Sequence, residues 1–121
     1  MTCRRGDLAL VPFPFTDLSA SKRRPVLCLT DPDGFGDFLG VAATSRPQHV
    51  HAIPLAGEAM AEGRLPAPSW VRTDRVVTLN AALVTKTFGS VTDSFTAQVV
   101  ARLCERIGFK TPLTPPAGRR G

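Results

Sequence analysis

Two short stretches of the chain contain side chains that could bind a phosphate group. A basic run, residues 22–24, directly precedes Pro25, and Thr44 and Ser45 follow an apolar run. A fixed guanidinium can hold two phosphate oxygens and stabilise the charge of a forming phosphorane, while a hydroxyl can donate a further hydrogen bond. The same residue types also suit an ordinary strand entrance and an ordinary strand end, so both readings stay open at this point.

A third stretch sets a cation close to a carboxylate. Arg72 and Asp74 alternate along a run with strand character, so both side chains should point to one face of a sheet. The arginine could donate a proton or stabilise charge, and the aspartate could act as a base or orient the arginine. A surface ion pair explains the same spacing equally well.

Familiar catalytic and metal-binding motifs are absent from the sequence. It contains no His-Glu-x-x-His, no P-loop and no Gly-x-Ser-x-Gly. His49 and His51 are the only histidines, and on a strand they would share one face, but no third metal ligand is apparent. We therefore expect both histidines to lie on a solvated strand face, with no bound metal or cofactor. Replacing either histidine by alanine should have little effect on activity.

Length and charge favour one small domain with a polyanionic partner. The chain has 121 residues, with 15 Lys and Arg against 10 Asp and Glu, giving a formal net charge of +5. One modest core fits this length. A basic surface attracts nucleic acid first, although it also serves solubility alone.

Cysteine usage and hydropathy predict a cytoplasmic protein. Cys3, Cys28 and Cys104 are scattered, show no metal-site or redox-pair spacing, and do not require an oxidising compartment. We expect Cys28 and Cys104, which sit in apolar runs, to be buried. Residues 1–7 lack the apolar run of a secretory signal, and no stretch approaches the roughly 20 apolar residues that span a bilayer.

Short apolar runs separated by turn signals predict a mainly antiparallel sheet. The runs follow one another too closely for helical crossovers between parallel strands. Pro54 marks an edge strand, and residues 57–68 are expected to form a connector with a short helical turn. The predicted strands cover residues 7–11, 25–30, 38–44, 51–55, 69–79 and 84–91.

One helix is clearly signalled near the end of the chain. Thr92 or Asp93 can cap its start, and Gly108 can close it in a left-handed conformation. Its apolar stripe repeats every fourth residue, at Phe95, Val99, Leu103 and Ile107. The rest of the chain is rich in Pro, Gly and Arg, so we predict one domain over residues 1–109 and a disordered tail over residues 110–121.

Four segments, taken in order, resemble the PemK/MazF family of toxin–antitoxin ribonucleases. Each segment alone is weak, but their order and spacing, followed by the terminal helix, are specific. The resemblance runs from about Gly6 to Ile107, and its segments lie in residues 6–17, 22–27, 41–45 and 70–79. It implies a mainly β (α+β) fold, a small SH3-like, CcdB-type barrel of antiparallel strands with a C-terminal helix, usually assembled as a homodimer.

The resemblance also implies roles for particular residues. Arg24 matches the arginine of the family's Arg-Pro motif, which contacts the scissile phosphate, and Thr44 matches the active threonine. Arg72 and Asp74 match an arginine–aspartate pair that some members use in cleavage. The expected RNA-binding residues around them are Phe15, Ser19, Lys22, Arg23, Ser45, Arg46 and Trp70.

The loop before Arg24 departs from the family pattern. Many relatives carry an acidic residue five to six positions before this arginine, where the chain has Leu18 and Ser19, and Asp17 is the nearest carboxylate. Among the aromatic residues near the site, we expect Phe13 to be buried. For Phe15 and Trp70, stacking on RNA bases and packing in the barrel both remain open.

The activity implied by the resemblance is metal-independent cleavage of single-stranded RNA. Attack by the ribose 2′-hydroxyl would leave a 2′,3′-cyclic phosphate, or its opened 3′-phosphate, and a 5′-hydroxyl. An antitoxin with an acidic or extended tail would cover the same basic surface. Two alternatives are a CcdB-like binder that poisons a protein target such as gyrase, and a degenerate member that binds RNA without cutting it.

Overall fold

The computed structural model describes residues 3–12, 23–47, 50–65 and 67–109, which form seven strands and one α-helix. Short 3₁₀ turns at Gly57–Ala59 and Ala81–Leu83 lead into the fifth and seventh strands. In chain order the elements are β1 (Asp7–Pro12), β2 (Arg23–Cys28), β3 (Asp37–Thr44), β4 (Ala52–Leu55), β5 (Met60–Gly63), β6 (Ser69–Asn80), β7 (Lys86–Val91) and α1 (Asp93–Ile107).

All seven strands belong to one curled antiparallel sheet. Their order is β4-β6-β3-β2-β1-β7-β5, and every neighbouring pair is antiparallel. The predicted class, a small antiparallel barrel with a C-terminal helix, is confirmed as a half-barrel sheet. β4 lies at one edge, as Pro54 indicated, since a proline cannot donate to a second neighbouring strand.

Apolar side chains pack on both faces of the sheet. On β2, Leu27 belongs to the core cluster that contains Phe95 and Val99 of α1, whereas Val26 and Cys28 belong to a second cluster on the other face. Successive side chains of a strand point to opposite faces, so this division fixes the direction of every residue on β2. We call the two sides the helix face and the opposite face.

The strand β5 was not predicted and corrects the expected connector. Its sequence, Met-Ala-Glu-Gly, has no apolar alternation, yet it pairs with β7. Glycine makes the pairing possible, because a Cβ on Gly63 would lie 2.1 Å from the carbonyl oxygen of Phe88. A Cβ on Gly89 would likewise lie 2.1 Å from the carbonyl oxygen of Glu62. Close backbone contact, rather than hydrophobic pattern, defines this edge.

The helix α1 follows its sequence signals except in its last turn. The Thr92 hydroxyl accepts a hydrogen bond of 3.1 Å from the backbone N–H of Phe95, and Gly108 closes the helix at φ 101°. Leu103 still packs on the core, but Ile107 is 74% exposed. The predicted stripe is therefore wrong at its final member, because the core on the helix face reaches no further than Leu103.

The cysteine predictions are confirmed only in part. Cys28 is buried, as expected, but Cys104 is only half-buried on α1. Cys3 is buried as well, in the same cluster as Cys28. Within the part of the chain that the structure describes, no helix is long and apolar enough to cross a membrane. The predicted tail, residues 110–121, lies outside the described residues.

Candidate active site

The ends of β2 and β3 bring Arg24 and Thr44 together on the opposite face. The ladder between these strands pairs Val26 with Ala42. Arg24 and Thr44 each lie two residues beyond this pair, and both line one groove. Each lies two positions from a member of the second core cluster, Val26 for Arg24 and Ala42 for Thr44. Both side chains therefore share the face of that cluster and point away from the helix face.

Around these two residues lies a groove with a volume of about 420 Å³. Three guanidinium groups and two hydroxyl groups line it, and none of its described lining residues is acidic. Such a lining attracts anions and repels cations. We call this site the strand-end groove, and its lining residues are Arg23, Arg24, Pro25, Ala43, Thr44, Ser45 and Arg46.

Arg24 is held firmly by the strands on which it lies. Its backbone pairs with Val11 of β1, and the following Pro25 has a fixed backbone φ angle. The side chain is half-buried, and its Nε atom is inaccessible to solvent. The guanidinium is therefore restricted before any ligand arrives, which lowers the entropic cost of binding a phosphate.

Thr44 ends β3 and uses its hydroxyl to shape the groove. The backbone N–H of Arg46 donates to Oγ1 of Thr44 at 3.1 Å. This bond occupies one acceptor position of the hydroxyl and leaves its proton available to donate to an anion. It also turns the chain so that Ser45 and Arg46 line the groove.

Trp70 and Arg72 extend this site along β6. In the ladder between β3 and β6, Trp70 pairs with Thr44, so the two half-buried side chains share a face. Arg72 is two residues further along and points the same way. Its Cα atom therefore lies at least about 8 Å from that of Thr44.

Arg72 and Asp74 form the bidentate pair that their spacing suggested. Nη2 of Arg72 donates to Oδ2 of Asp74 at 2.7 Å, and Nε donates to Oδ1 at 3.1 Å. These hydrogen bonds lower the pKa of Asp74, and the Arg72 charge acts in the same direction. Asp74 is therefore ionised at neutral pH and a weak base, better suited to orienting Arg72 than to accepting a proton.

A bulge in β6 carries this pair out of its ladder with β3, while Arg72 still pairs with Ala52 of β4. The ladder pairs Val41 with Val76 and Ala43 with Val71, so Ala42 alone lies opposite the four residues from 72 to 75. Bulges redirect side chains and are frequent next to active sites. The groove lining does not include Arg72 or Asp74, so the structure sets the pair beside the strand-end groove rather than in it.

Other predicted site residues have different outcomes. Arg23, Ser45 and Arg46 line the groove. Phe15, Ser19 and Lys22 lie outside the described residues, as do Phe13, Asp17, Leu18 and His49. Within the described part of the chain, no three His, Cys, Asp or Glu side chains are grouped so that they could hold a metal ion.

His51 corrects the expectation of a solvated strand face. It precedes β4 instead of belonging to it, is half-buried, and lines a second cavity together with three residues of α1. Sequence reasoning missed this cavity. The spacing of Arg102 and Arg106, one helical turn apart, could have indicated a cationic helix face, but only the tertiary structure brings that face to His51.

Fold and groove together define a small β-barrel protein with a cationic groove at its strand ends. The sequence profile of the PemK-like, MazF-like toxins of type II toxin–antitoxin systems matches residues 4–107. The chain therefore belongs to this toxin family, as the ordered segments predicted. Among curated proteins, no sequence matches it.

Solved structures with the same fold include toxins of this family from two bacterial groups. A MazE–MazF structure from Deinococcus radiodurans aligns with a TM-score of 0.71 and 18% identity, over 91% of this chain and 99% of that one. An endoribonuclease from mycobacterial species aligns with a TM-score of 0.69 and 17% identity, over 93% of this chain and 97% of that one. An endoribonuclease in complex with its cognate antitoxin, also mycobacterial, aligns with a TM-score of 0.67 and 18% identity, over 92% of this chain and 98% of that one. These TM-scores establish a shared fold.

Proposed function

We propose that this protein is an endoribonuclease toxin that cuts single-stranded RNA at the strand-end groove. The observation that carries the proposal is the position of Arg24 and Thr44 on adjacent strand ends, in a groove whose described lining is cationic and hydroxylated. A phosphodiester fits this lining, because two guanidinium donors and a hydroxyl can surround its oxygens. Membership of the toxin family supports the same reaction.

The cleavage step uses the ribose 2′-hydroxyl as nucleophile. A bond forms between the 2′-oxygen and phosphorus, the bond from phosphorus to the 5′-oxygen breaks, and the 2′ proton leaves to solvent. Negative charge grows on the phosphoryl oxygens in the transition state. Arg24 and the Thr44 hydroxyl stabilise that charge from fixed positions, which is the most effective form of electrostatic catalysis.

Arg72 has a separate role beside the groove. With Asp74 orienting its guanidinium through two hydrogen bonds, it stabilises the charge on the departing 5′-oxygen, which takes up a proton from solvent. Trp70, paired with Thr44 in the ladder, offers a flat aromatic surface for a base next to the scissile phosphate.

In the cell, an antitoxin controls the groove. Solved relatives include a MazE–MazF complex and an endoribonuclease with its cognate antitoxin. We propose that this chain acts as a homodimer in the cytoplasm, and that an antitoxin with an acidic or extended tail covers the cationic groove and holds off turnover.

Analysis of product ends tests the proposed reaction. A 5′-labelled RNA incubated with purified protein should give fragments that carry a 2′,3′-cyclic phosphate or a 3′-phosphate, with 5′-hydroxyl partners. RNA that is bound but stays intact would favour the degenerate family member. RNA that is neither bound nor cut would favour a toxin directed at a protein target. Fragments with 5′-phosphates would contradict the 2′-hydroxyl mechanism.

A further inference from the structure

A second cationic cavity lies between β6 and the C-terminal half of α1. Its volume is about 320 Å³, at the lower end of the range for ligand sites, which begins at roughly 300 Å³. The lining holds an imidazole, a hydroxyl, two guanidinium groups and one carboxylate. We call it the helix-side cavity, and its lining residues are His51, Thr73, Arg102, Glu105 and Arg106.

His51 is fixed in this cavity by an unusual backbone conformation. Its φ is 61°, and it is the only non-glycine residue with a positive φ in the described part of the chain. The N–H and the hydroxyl of Thr73 both donate to the carbonyl oxygen of His51, at 2.7 and 3.0 Å. A conformation held in this way positions the imidazole precisely and is common at functional sites.

The charges of the cavity favour a singly charged anion. Arg102 and Arg106 lie one turn apart on the same face of α1, and together they outweigh the carboxylate of Glu105. The net charge is positive even when His51 is neutral. A phosphodiester, with one negative charge and two unesterified oxygens, matches two guanidinium groups, whereas Glu105 disfavours more highly charged anions.

The helix-side cavity is close to the strand-end groove. Thr44 pairs with Trp70, and Trp70 pairs with Pro54 of the edge strand β4, whose start follows His51. Two strand spacings and three residues along β4 separate Thr44 from His51, so their Cα atoms lie about 14 Å apart. The two sites are on different faces of the sheet, and only the short edge strand β4 lies outside β6.

We propose that the helix-side cavity binds a second phosphate of the RNA strand whose scissile phosphate lies in the strand-end groove. This inference rests on the proposed ribonuclease function. A flexible single strand can pass over the edge at β4, so one ligand can occupy both cationic sites. An RNA is favoured over an acidic peptide because a strand held in the strand-end groove carries a phosphate at every nucleotide, so one of its own neighbouring phosphates can reach a cationic cavity about 14 Å away.

A double variant of α1 tests the proposal without altering the strand-end groove. Arg102 and Arg106 are exposed, so Arg102→Gln with Arg106→Gln should fold normally. The matched control is Arg4→Gln with Arg64→Gln, which removes the same charge from exposed positions that line neither site. A third variant, His51→Asn, removes the imidazole but keeps a residue that tolerates the left-handed conformation.

The readouts are RNA affinity, its salt dependence and the cleavage rate. Against the control, the double variant should bind a long single-stranded RNA about tenfold more weakly. The slope of log affinity against log salt should fall by about 0.7, the value for one phosphate contact on a single strand. His51→Asn should weaken binding in the same direction. A trinucleotide spanning the cleavage step should be cut equally fast by all of these proteins.

Three results would overturn the proposal. The first is a double variant that binds long RNA as tightly as the control. The second is a double variant that loses as much trinucleotide cleavage as it loses long-RNA affinity, which would place Arg102 and Arg106 in the catalytic site. The third is weaker binding of an acidic peptide with unchanged RNA binding, which would assign the cavity to a protein partner. A wild-type protein that cuts neither RNA would instead contradict the proposed function itself.

Discussion

At the scale of single residues, the candidate site depends on side chains that are held in place before any ligand arrives. Arg24 is half-buried with its Nε inaccessible to solvent, and the Thr44 hydroxyl already accepts a hydrogen bond from the backbone of Arg46. Transition-state stabilisation requires such fixed donors, because a mobile group must first lose entropy to align. The predictions for these two residues follow from their fixed positions.

Replacing Arg24 should slow cleavage and leave the fold intact. We expect Arg24→Ala to lower the single-turnover cleavage rate about 100-fold or more, the usual effect of losing one preorganised donor. Arg24→Lys should recover only part of the rate, because an ammonium cannot form paired hydrogen bonds with two phosphate oxygens. Circular dichroism checks the fold, and Arg64→Ala, at an exposed position away from the groove, is the control. Near wild-type cleavage by Arg24→Ala would show that the site is elsewhere.

Thr44 allows a test of the hydroxyl alone. Thr44→Ala should reduce the cleavage rate strongly, whereas Thr44→Ser should have a milder effect because it keeps the donor and the hydrogen bond from Arg46. The measurement is the same single-turnover assay on one RNA. Equal rates for the alanine and serine variants would mean that the hydroxyl does not contribute.

The sequence indicates these residues better than it indicates their surroundings. Arg24 and Thr44 could be selected because short motifs place them at strand ends. His51 was expected on a solvated strand face, yet the structure gives it a left-handed backbone before β4. Local sequence contains no sign of that geometry, because it depends on hydrogen bonds from Thr73, 22 positions away in the chain.

At the scale of secondary-structure elements, the bulge in β6 determines the position of the Arg72–Asp74 pair. Alternation along a strand predicted correctly that the two side chains share a face, and they form a bidentate pair. It could not predict the bulge, which arises from the register against β3. For the same reason β5 was missed, since its pairing relies on the close approach of Gly63 and Gly89.

A double-mutant cycle tests whether Asp74 works through Arg72. We expect Arg72→Ala and Asp74→Asn each to slow cleavage, and the double variant to be no slower than Arg72→Ala alone, because Asp74 acts by orienting the guanidinium. Independent, additive losses would contradict this arrangement and favour Asp74 as a base that contacts the substrate.

The same pair predicts a pH-dependent contribution to stability. The pKa of Asp74 is lowered in the folded protein by the hydrogen bonds from Arg72, so the pair stabilises the fold above the unfolded pKa of about 3.9. That contribution is lost as the pH falls through the lower folded pKa. Urea denaturation at neutral pH should show Asp74→Asn less stable by at most ~1 kcal/mol, since the pair is partly exposed. The difference should vanish in acid, and a difference that grows in acid would contradict the assignment.

At the scale of the whole molecule, the family fold was predictable because many local signals agree. Short apolar runs, an edge proline and a capped helix all indicate an antiparallel barrel, and the structure confirms it. The extent of the core was less predictable. Ile107 continues the periodic stripe of α1 but is 74% exposed, because periodicity does not report where the sheet ends.

Assembly is predicted at the same scale. We expect a homodimer in solution, the commonest closed oligomer. Light scattering at micromolar concentration should report twice the mass of the 12.9 kDa chain. A monomer that still cuts RNA would contradict the prediction.

Cleavage of a labelled single-stranded RNA in excess EDTA is the most direct test of the central claim. The claim is that Arg24 and Thr44, rather than a metal ion, stabilise the transition state. Wild-type protein should cut the RNA at the same rate with and without EDTA. An Arg24→Ala preparation purified in parallel should cut it at least about 100-fold more slowly in both conditions, which excludes contaminating nucleases. Cleavage that vanishes in EDTA and returns with added magnesium would contradict the claim.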